Sequence, residues 1–296
     1  MRCAAPIFVI GFQRGGTNLL TNLLASHPDL RLLGRETHQV FYGKARETGK
    51  GRWIRRGLYL PIMLGAGGHL FRATNLEERG ALPAPLGRWV DLLLDRESRS
   101  FLQYDPPPRG AASAPAPARS RLLAKNVNGM ALATPILSAM YPDATFFAMV
   151  RHGLALCEGH VRRGRPAEEF GEIYQKVCDR MLRDAAAVPN YHLIRFEQLI
   201  ADPVAAIRTM FTHARLDPDQ VHSYRLQAKQ SMGSDGRRSY TFGGQQDRET
   251  QWFGPDELRR CFRPDVDANQ IARLAPEDRK RFLGRAGDVM SRLGYQ

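Results

Sequence analysis

The chain has 296 residues, 43% of them hydrophobic, and its 43 Lys and Arg against 30 Asp and Glu leave a net charge of +13. That length and apolar content supply a core for one large α/β domain, and no run approaches the roughly 18 uninterrupted apolar residues of a membrane span. Cys3, Cys157, Cys178 and Cys261 are scattered without C-x-x-C spacing, and the histidines lack any H-E-x-x-H grouping, which excludes a disulfide-built scaffold and predicts reduced thiols in a cytoplasm and no metal centre.

Residues 7–10 form a continuous apolar run between Pro6 and Gly11, the pattern of a strand buried on both faces of a parallel sheet. The run begins too early for a secretory leader to precede it. Leu19, Leu20, Leu23 and Leu24 then mark one face of a helix. Short apolar runs at 30–33, 122–124, 145–150 and 192–196 predict further strands, and 130–140, 168–187, 204–213 and 276–293 predict helices between and after them. Asp202-Pro203 reads as a helix start, a capping side chain before proline at the first helical position. Residues 37–121 interrupt this alternation with an insert rich in Arg, Gly and aromatic side chains, followed by a Pro/Ala-rich stretch expected to be a mobile loop. The predicted fold class is α/β: a single domain over residues 1–296, a P-loop-like, doubly wound parallel sheet flanked by helices, with its ligand crevice at the carboxyl ends of the strands.

The most informative segment joins the first strand to the first helix: Gly11-Phe12-Gln13-Arg14-Gly15-Gly16-Thr17-Asn18. A glycine-rich turn into a helix N-terminus lets backbone N–H groups cradle an anion, and Arg14 adds charge. The G-K-[ST] ending of a nucleotide triphosphatase loop, whose hydroxyl holds magnesium, is absent. With Leu19-Leu20, His27-Pro28-Asp29 and Glu36 beyond it, this segment resembles the opening of the sulfotransferases that use 3′-phosphoadenosine 5′-phosphosulfate. It is similar to the heparan-modifying glycan branch in its paired glycines, its His-Pro-Asp turn and its glutamate with a histidine two places later, here Glu36-Thr37-His38. In using arginine at Arg14 it is similar to the tyrosyl-protein branch.

A second block, residues 145–151, resembles the family's strand ending in an arginine for the donor's 3′-phosphate, which puts Arg151 in that role. The family reads Arg-Asp-Pro there and places a phosphate-binding serine eight residues on; this chain reads Arg151-His152-Gly153, and Gly159 occupies the serine position. Residues 193–203 resemble the strand-turn-helix that follows, a structural element. Arg237, Arg238 and Tyr240 fall in a segment similar to the family's basic C-terminal loop over the nucleotide.

The resemblance implies a donor site of Gln13, Arg14, Gly15, Gly16, Thr17, Asn18, Arg151, Gly159, Arg237, Arg238 and Tyr240. It also implies a catalytic group in which Arg14 meets the leaving phosphate, Lys125 meets the sulfuryl group and Glu36, on the strand adjoining the phosphate loop, takes the acceptor's proton. His38 is a second candidate base. In-line displacement at sulfur depends on positioning and charge stabilisation, with no metal required. The implied acceptor is a hydroxyl or amine of a small molecule or glycan, an anionic carbohydrate suiting the net charge, with peripheral membrane contact compatible with it and no nucleic-acid partner. The alternatives are a nucleotide or sugar kinase of similar fold, and a noncatalytic polyanion-binding protein resting on charge alone.

Overall fold

The computed structural model describes residues 3–34, 36–37, 84–100, 120–232, 238–241 and 249–295. At its centre lie five strands, β1 (Ile7–Gly11), β2 (Leu30–Leu32), β3 (Arg121–Val127), β4 (Thr145–Val150) and β5 (Tyr191–Arg195), parallel throughout and ordered β2-β3-β1-β4-β5. The apolar runs are continuous because both faces of this sheet are covered. Phe8 and Ile10 enter one buried cluster with Leu122, Ala124, Phe146 and Ala148, whereas Ile7 and Val9 enter the other with Leu123, Phe147 and Met149.

Ten helices complete the described layers: α1 (Thr17–Leu24), α2 (Ala84–Ser100), α3 (Thr134–Met140), α4 (Gly153–Val161), α5 (Ala167–Ala187), α6 (Phe196–Ala201), α7 (Pro203–His213), α8 (Pro255–Arg260), α9 (Val266–Ala272) and α10 (Pro276–Arg292). Helices α2 to α5 and α10 pack on one face, and α1, α6, α7 and α8 on the other. The Asp202 carboxylate accepts from the Ala205 amide at 3.1 Å, so the cap read from Asp202-Pro203 is formed. The helix expected from residue 130 begins instead at Thr134. Residues Asn128–Ala133 form a tight 3₁₀ segment, and Pro135, which has no N–H to donate, fixes where the α-helix can start.

Within the 37–121 insert, α2 is anchored at the outer edge of the sheet. Arg31 on β2 reaches Asp95 at 3.1 Å and Ser98 Oγ at 2.7 Å, and Asp91 accepts from the Tyr141 hydroxyl at 3.0 Å. The rest of the insert and the Pro/Ala-rich segment lie outside the described residues.

A second sheet corrects the expectation of a basic loop near the C-terminus. Its strands β6 (Tyr224–Met232), β7 (Arg238–Thr241) and β8 (Glu249–Phe253) are antiparallel in the order β7-β6-β8. The signal was alternation: Tyr224, Leu226 and Ala228 are buried and Gln227 is exposed. Arg225 breaks the polar-out pattern, because its guanidinium is buried against the Asn22 carboxamide of α1. Among the described residues no helix is long and apolar enough to cross a membrane, and no three His, Cys, Asp or Glu side chains group as metal ligands.

Candidate active site

The chain leaves β1 at Gly11 and re-enters regular structure at Thr17, at the carboxyl edge of the sheet. Two residues in this turn take left-handed backbone angles, Arg14 (φ 63°) and Gly16 (φ 91°). Gly16 is the only residue type that fits its place: a Cβ there would lie 2.4 Å from Phe196 Cδ2 and 2.8 Å from Met149 Sδ. The turn closes with the Gly15 amide donating to the Phe12 carbonyl at 3.0 Å. Helix α1 then starts with no side-chain cap and no acidic residue in its first turn, which leaves its leading N–H groups and the positive end of its dipole for an anion. The Arg14 side chain is exposed beside this turn, and no carboxylate pairs with it among the described residues.

Two contacts hold the loop from outside. The Gln13 amide donates to Asn128 Oδ1 at 3.0 Å; Asn128, at the end of β3, itself has φ 51°, a conformation asparagine tolerates. On the other side, Arg151 Nη1 donates to the Arg14 carbonyl at 2.6 Å. Arg151 is only 6% exposed. Its Nε reaches Asp267 Oδ1 at 2.8 Å, its Nη2 reaches the same oxygen at 2.5 Å and Gln270 Oε1 at 2.6 Å, and its guanidinium carbon lies 4.2 Å from the centroid of Phe196. Four of its five donor hydrogens are thereby committed to protein groups. Asp267 and Gln270, both on α9, had no sequence signature, because their partner lies more than a hundred residues away.

Lys125 and Glu36 meet at the same edge. Strand β3 separates β2 from β1, so Glu36, which follows β2, is not on the strand adjoining the loop as expected; it reaches Lys125 on β3, the strand that is. Lys125 Nζ lies 2.9 Å from Glu36 Oε1 and also donates to the Asn18 side-chain oxygen. Thr37, fully buried, fixes this approach by donating from Oγ1 to the Lys125 carbonyl at 3.1 Å. An ammonium group has three donors, and two are occupied here. Asn18, expected on the donor, thus touches the Lys125–Glu36 pair, and Thr17 is buried at the start of α1.

Below the loop, Glu197 accepts from the His152 amide at 3.0 Å and from the Tyr295 hydroxyl at 2.9 Å, and burial pushes its carboxyl pKa upward. Gly159 lies on α4 facing the loop, since a Cβ there would point at Arg14 Cδ, 4.0 Å away. Arg163, one turn further on and not anticipated, donates from Nε to the Gly159 carbonyl at 2.7 Å. The sequence did offer a signal in the basic run Arg162-Arg163-Gly164-Arg165 directly after a helix. His38 and Arg237 lie outside the described residues, and Arg238 and Tyr240 are described as backbone of β7 alone.

Comparison with known proteins agrees with this geometry. No curated protein sequence matches the chain. Among solved structures, the sulfotransferase domain from the Synechococcus PCC 7002 olefin synthase aligns over 100% of this chain and 97% of its own, with TM-score 0.54 and 17% identity, a likeness of fold. The sulfotransferase domain from the curacin biosynthetic pathway aligns over 100% and 99% (TM-score 0.49, 14% identity), and a sulfotransferase from Alicyclobacillus acidocaldarius over 99% and 97% (TM-score 0.47, 16% identity). The family described as the sulfotransferase family matches residues 6–220, a span containing the phosphate loop, Glu36, Lys125 and Arg151. An anion-cradling turn that carries Arg14 and lacks the G-K-[ST] ending of nucleotide triphosphatases lies within a family match covering most of the chain, and the protein is a member of the sulfotransferase family.

Proposed function

We propose that the enzyme transfers the sulfuryl group of 3′-phosphoadenosine 5′-phosphosulfate to a hydroxyl or amine of a carbohydrate or glycoconjugate, within a single domain whose 37–121 insert forms the acceptor side. The observation that carries this reading is the meeting of Lys125, Glu36 and Asn18 beside the uncapped N-terminus of α1 and the free Arg14 guanidinium. The acceptor atom attacks sulfur, the bond from sulfur to the bridging oxygen breaks, and its electron pair goes to the leaving 5′-phosphate. Arg14 and the loop amides face that developing charge, the remaining Lys125 donor serves a sulfuryl oxygen, and Glu36 takes the acceptor's proton. His38 is a second candidate for the proton.

Glu36 and Lys125 are not competing for one role. The ammonium group holds the carboxylate at a fixed place, so base and sulfuryl-binding group arrive as one unit. The four cysteines are free, in keeping with a cytoplasmic enzyme. The test is incubation of the purified enzyme with isotopically labelled donor and an extract of small molecules and glycans, followed by mass spectrometry. Label appearing in a carbohydrate fraction supports the reading; label recovered only as free sulfate overturns it.

A further inference from the structure

Helix α10 buries Phe282, Ala286, Val289 and Met290, and most of the charge on its outer face is answered within the chain. Arg281 pairs with Glu277 at 3.6 Å, Arg285 with Glu172 at 3.5 Å and Arg292 with Asp179 at 2.5 Å. Arg273, which follows α9, pairs with Glu158 at 3.3 Å. Arg279 and Lys280 differ from these: both are exposed, and among the described residues neither has a carboxylate partner.

Those two cations border a groove of about 680 Å³ between the end of α9 and the first turns of α10, lined also by Leu274, Pro276, Leu283 and Gly284. Leu283 is 38% exposed; among the described residues only Trp89 on α2 is another large hydrophobic side chain left exposed. Positions 279, 280, 283 and 284 are spaced three and four apart, so the cations and the apolar surface share one face of the helix. Arg279 is held across the end of the groove, because its Nη2 donates to the Ile271 carbonyl of α9 at 3.2 Å. Gly284 leaves the wall low. A Cβ there would meet nothing within 4 Å, so packing inside the chain does not require this glycine, whereas at Gly171 a Cβ would lie 2.8 Å from Arg285 Cβ of the same helix.

The geometry points to this groove as a docking site for an acidic amphipathic helix of a partner protein, which lays an apolar row against Leu283 and Leu274 and sets carboxylates beside Arg279 and Lys280. Both walls come from helices, so no strand edge is offered to an extended peptide, and the ridges of a helix are what such a groove accepts. A second copy of the chain would bring a further net charge of +13 and, across a twofold axis, the same two cations. A bilayer calls for an apolar face that protrudes, and here the apolar surface is recessed. Charge complementarity therefore selects an acidic helix. None of the groove residues belongs to the phosphate loop, the Lys125–Glu36 pair or the insert, so docking is separable from catalysis.

Fluorescence anisotropy of the full chain with a labelled helical peptide tests this, the peptide carrying leucines three and four apart flanked by glutamates. The wild type is expected to bind it saturably, and about fivefold or more tighter than the same peptide with glutamine for glutamate, the worth of two exposed ion pairs. Arg279→Gln with Lys280→Gln is expected to lose that preference. Arg281→Gln with Arg285→Gln removes the same charge outside the groove and is expected to keep it. Gly284→Gln adds a helix-favouring side chain in open space, so it should fold, as circular dichroism verifies, and should weaken binding by filling the groove. Equal losses in the two double variants, no saturable binding, or unchanged affinity in Gly284→Gln would overturn the inference. Sedimentation covers the rival occupants: binding to phosphatidylglycerol vesicles, or self-association of the chain, that is abolished by Leu283→Ser would overturn it as well.

Discussion

Lys125 Nζ and Glu36 Oε1 are 2.9 Å apart, with side chains only 14% and 19% exposed, on segments separated by the whole insert. The pair ties the segment after β2 to the strand beside β1, since Lys125 is in register with Val9 of β1 and Glu36 follows β2. Replacing Glu36 with Gln preserves shape and removes the proton acceptor. The chemical step is expected to slow by about 10² to 10⁴, the range of a general base, while nucleotide affinity changes little. Single-turnover sulfation and titration with 3′-phosphoadenosine 5′-phosphate on one preparation separate the two effects; an unslowed chemical step would point to His38.

Arg14→Ala removes a cation that no described carboxylate neutralises, so it disturbs the fold little. Affinity for the spent donor is expected to fall by about 1.5–3 kcal/mol, the range for a hydrogen bond to a charged group. Calorimetry measures it, and unchanged binding would remove Arg14 from the donor site.

Gly16→Ala strains the loop twice, by its φ of 91° and by a Cβ overlapping the Phe196 ring. A stability loss of about 1–3 kcal/mol is expected from the backbone conformation alone, and more if Phe196 cannot move. Urea unfolding gives the loss. Because Phe196 also supports Arg151, the variant should bind nucleotide more weakly even where it remains folded.

His27 links the fold to pH. The Asp29 amide donates to its Nδ1 at 3.1 Å, so Nε2 carries the proton that is donated to the Asp217 carbonyl at 3.0 Å. Burial lowers its pKa from the ordinary 6.5, outweighing the Asp217 carbonyl and the nearby acids. A depressed pKa contributes stability that is present above the unfolded value and lost as the pH falls through the folded one. Chemical unfolding at about pH 7.5 and about pH 5 should therefore show a steeper loss for the wild type than for His27→Asn. The neutral-pH advantage should be about 1 kcal/mol, the size of one buried hydrogen bond. Equal slopes would show that His27 does not contribute to the acid sensitivity.

Legibility followed sequence distance. The central strands were readable because each is buried on both faces and so is apolar throughout, as in residues 145–150, and the loop was readable because an anion cradle needs its glycines and cation within a few residues. Strand order was not readable: nothing in the 30–33 run tells that β3 intervenes between it and β1, which is why Glu36 was set on the wrong neighbour of the loop. The partners of Arg151 were not readable, because Asp267 and Gln270 are ordinary polar residues on a helix with no motif.

The tie between α9 and Arg151 has a practical consequence for anyone recombining this catalytic module with another protein. The family match ends at residue 220, a tempting place to cut. A fragment stopping there would leave the buried Arg151 guanidinium without its counter-ion and would remove Phe282 and Met290, both fully buried in the same layer. The phosphate loop would then lose its strut although every residue of its motif was still encoded. The smallest transplantable unit extends through Tyr295, whose hydroxyl secures Glu197 beneath the loop.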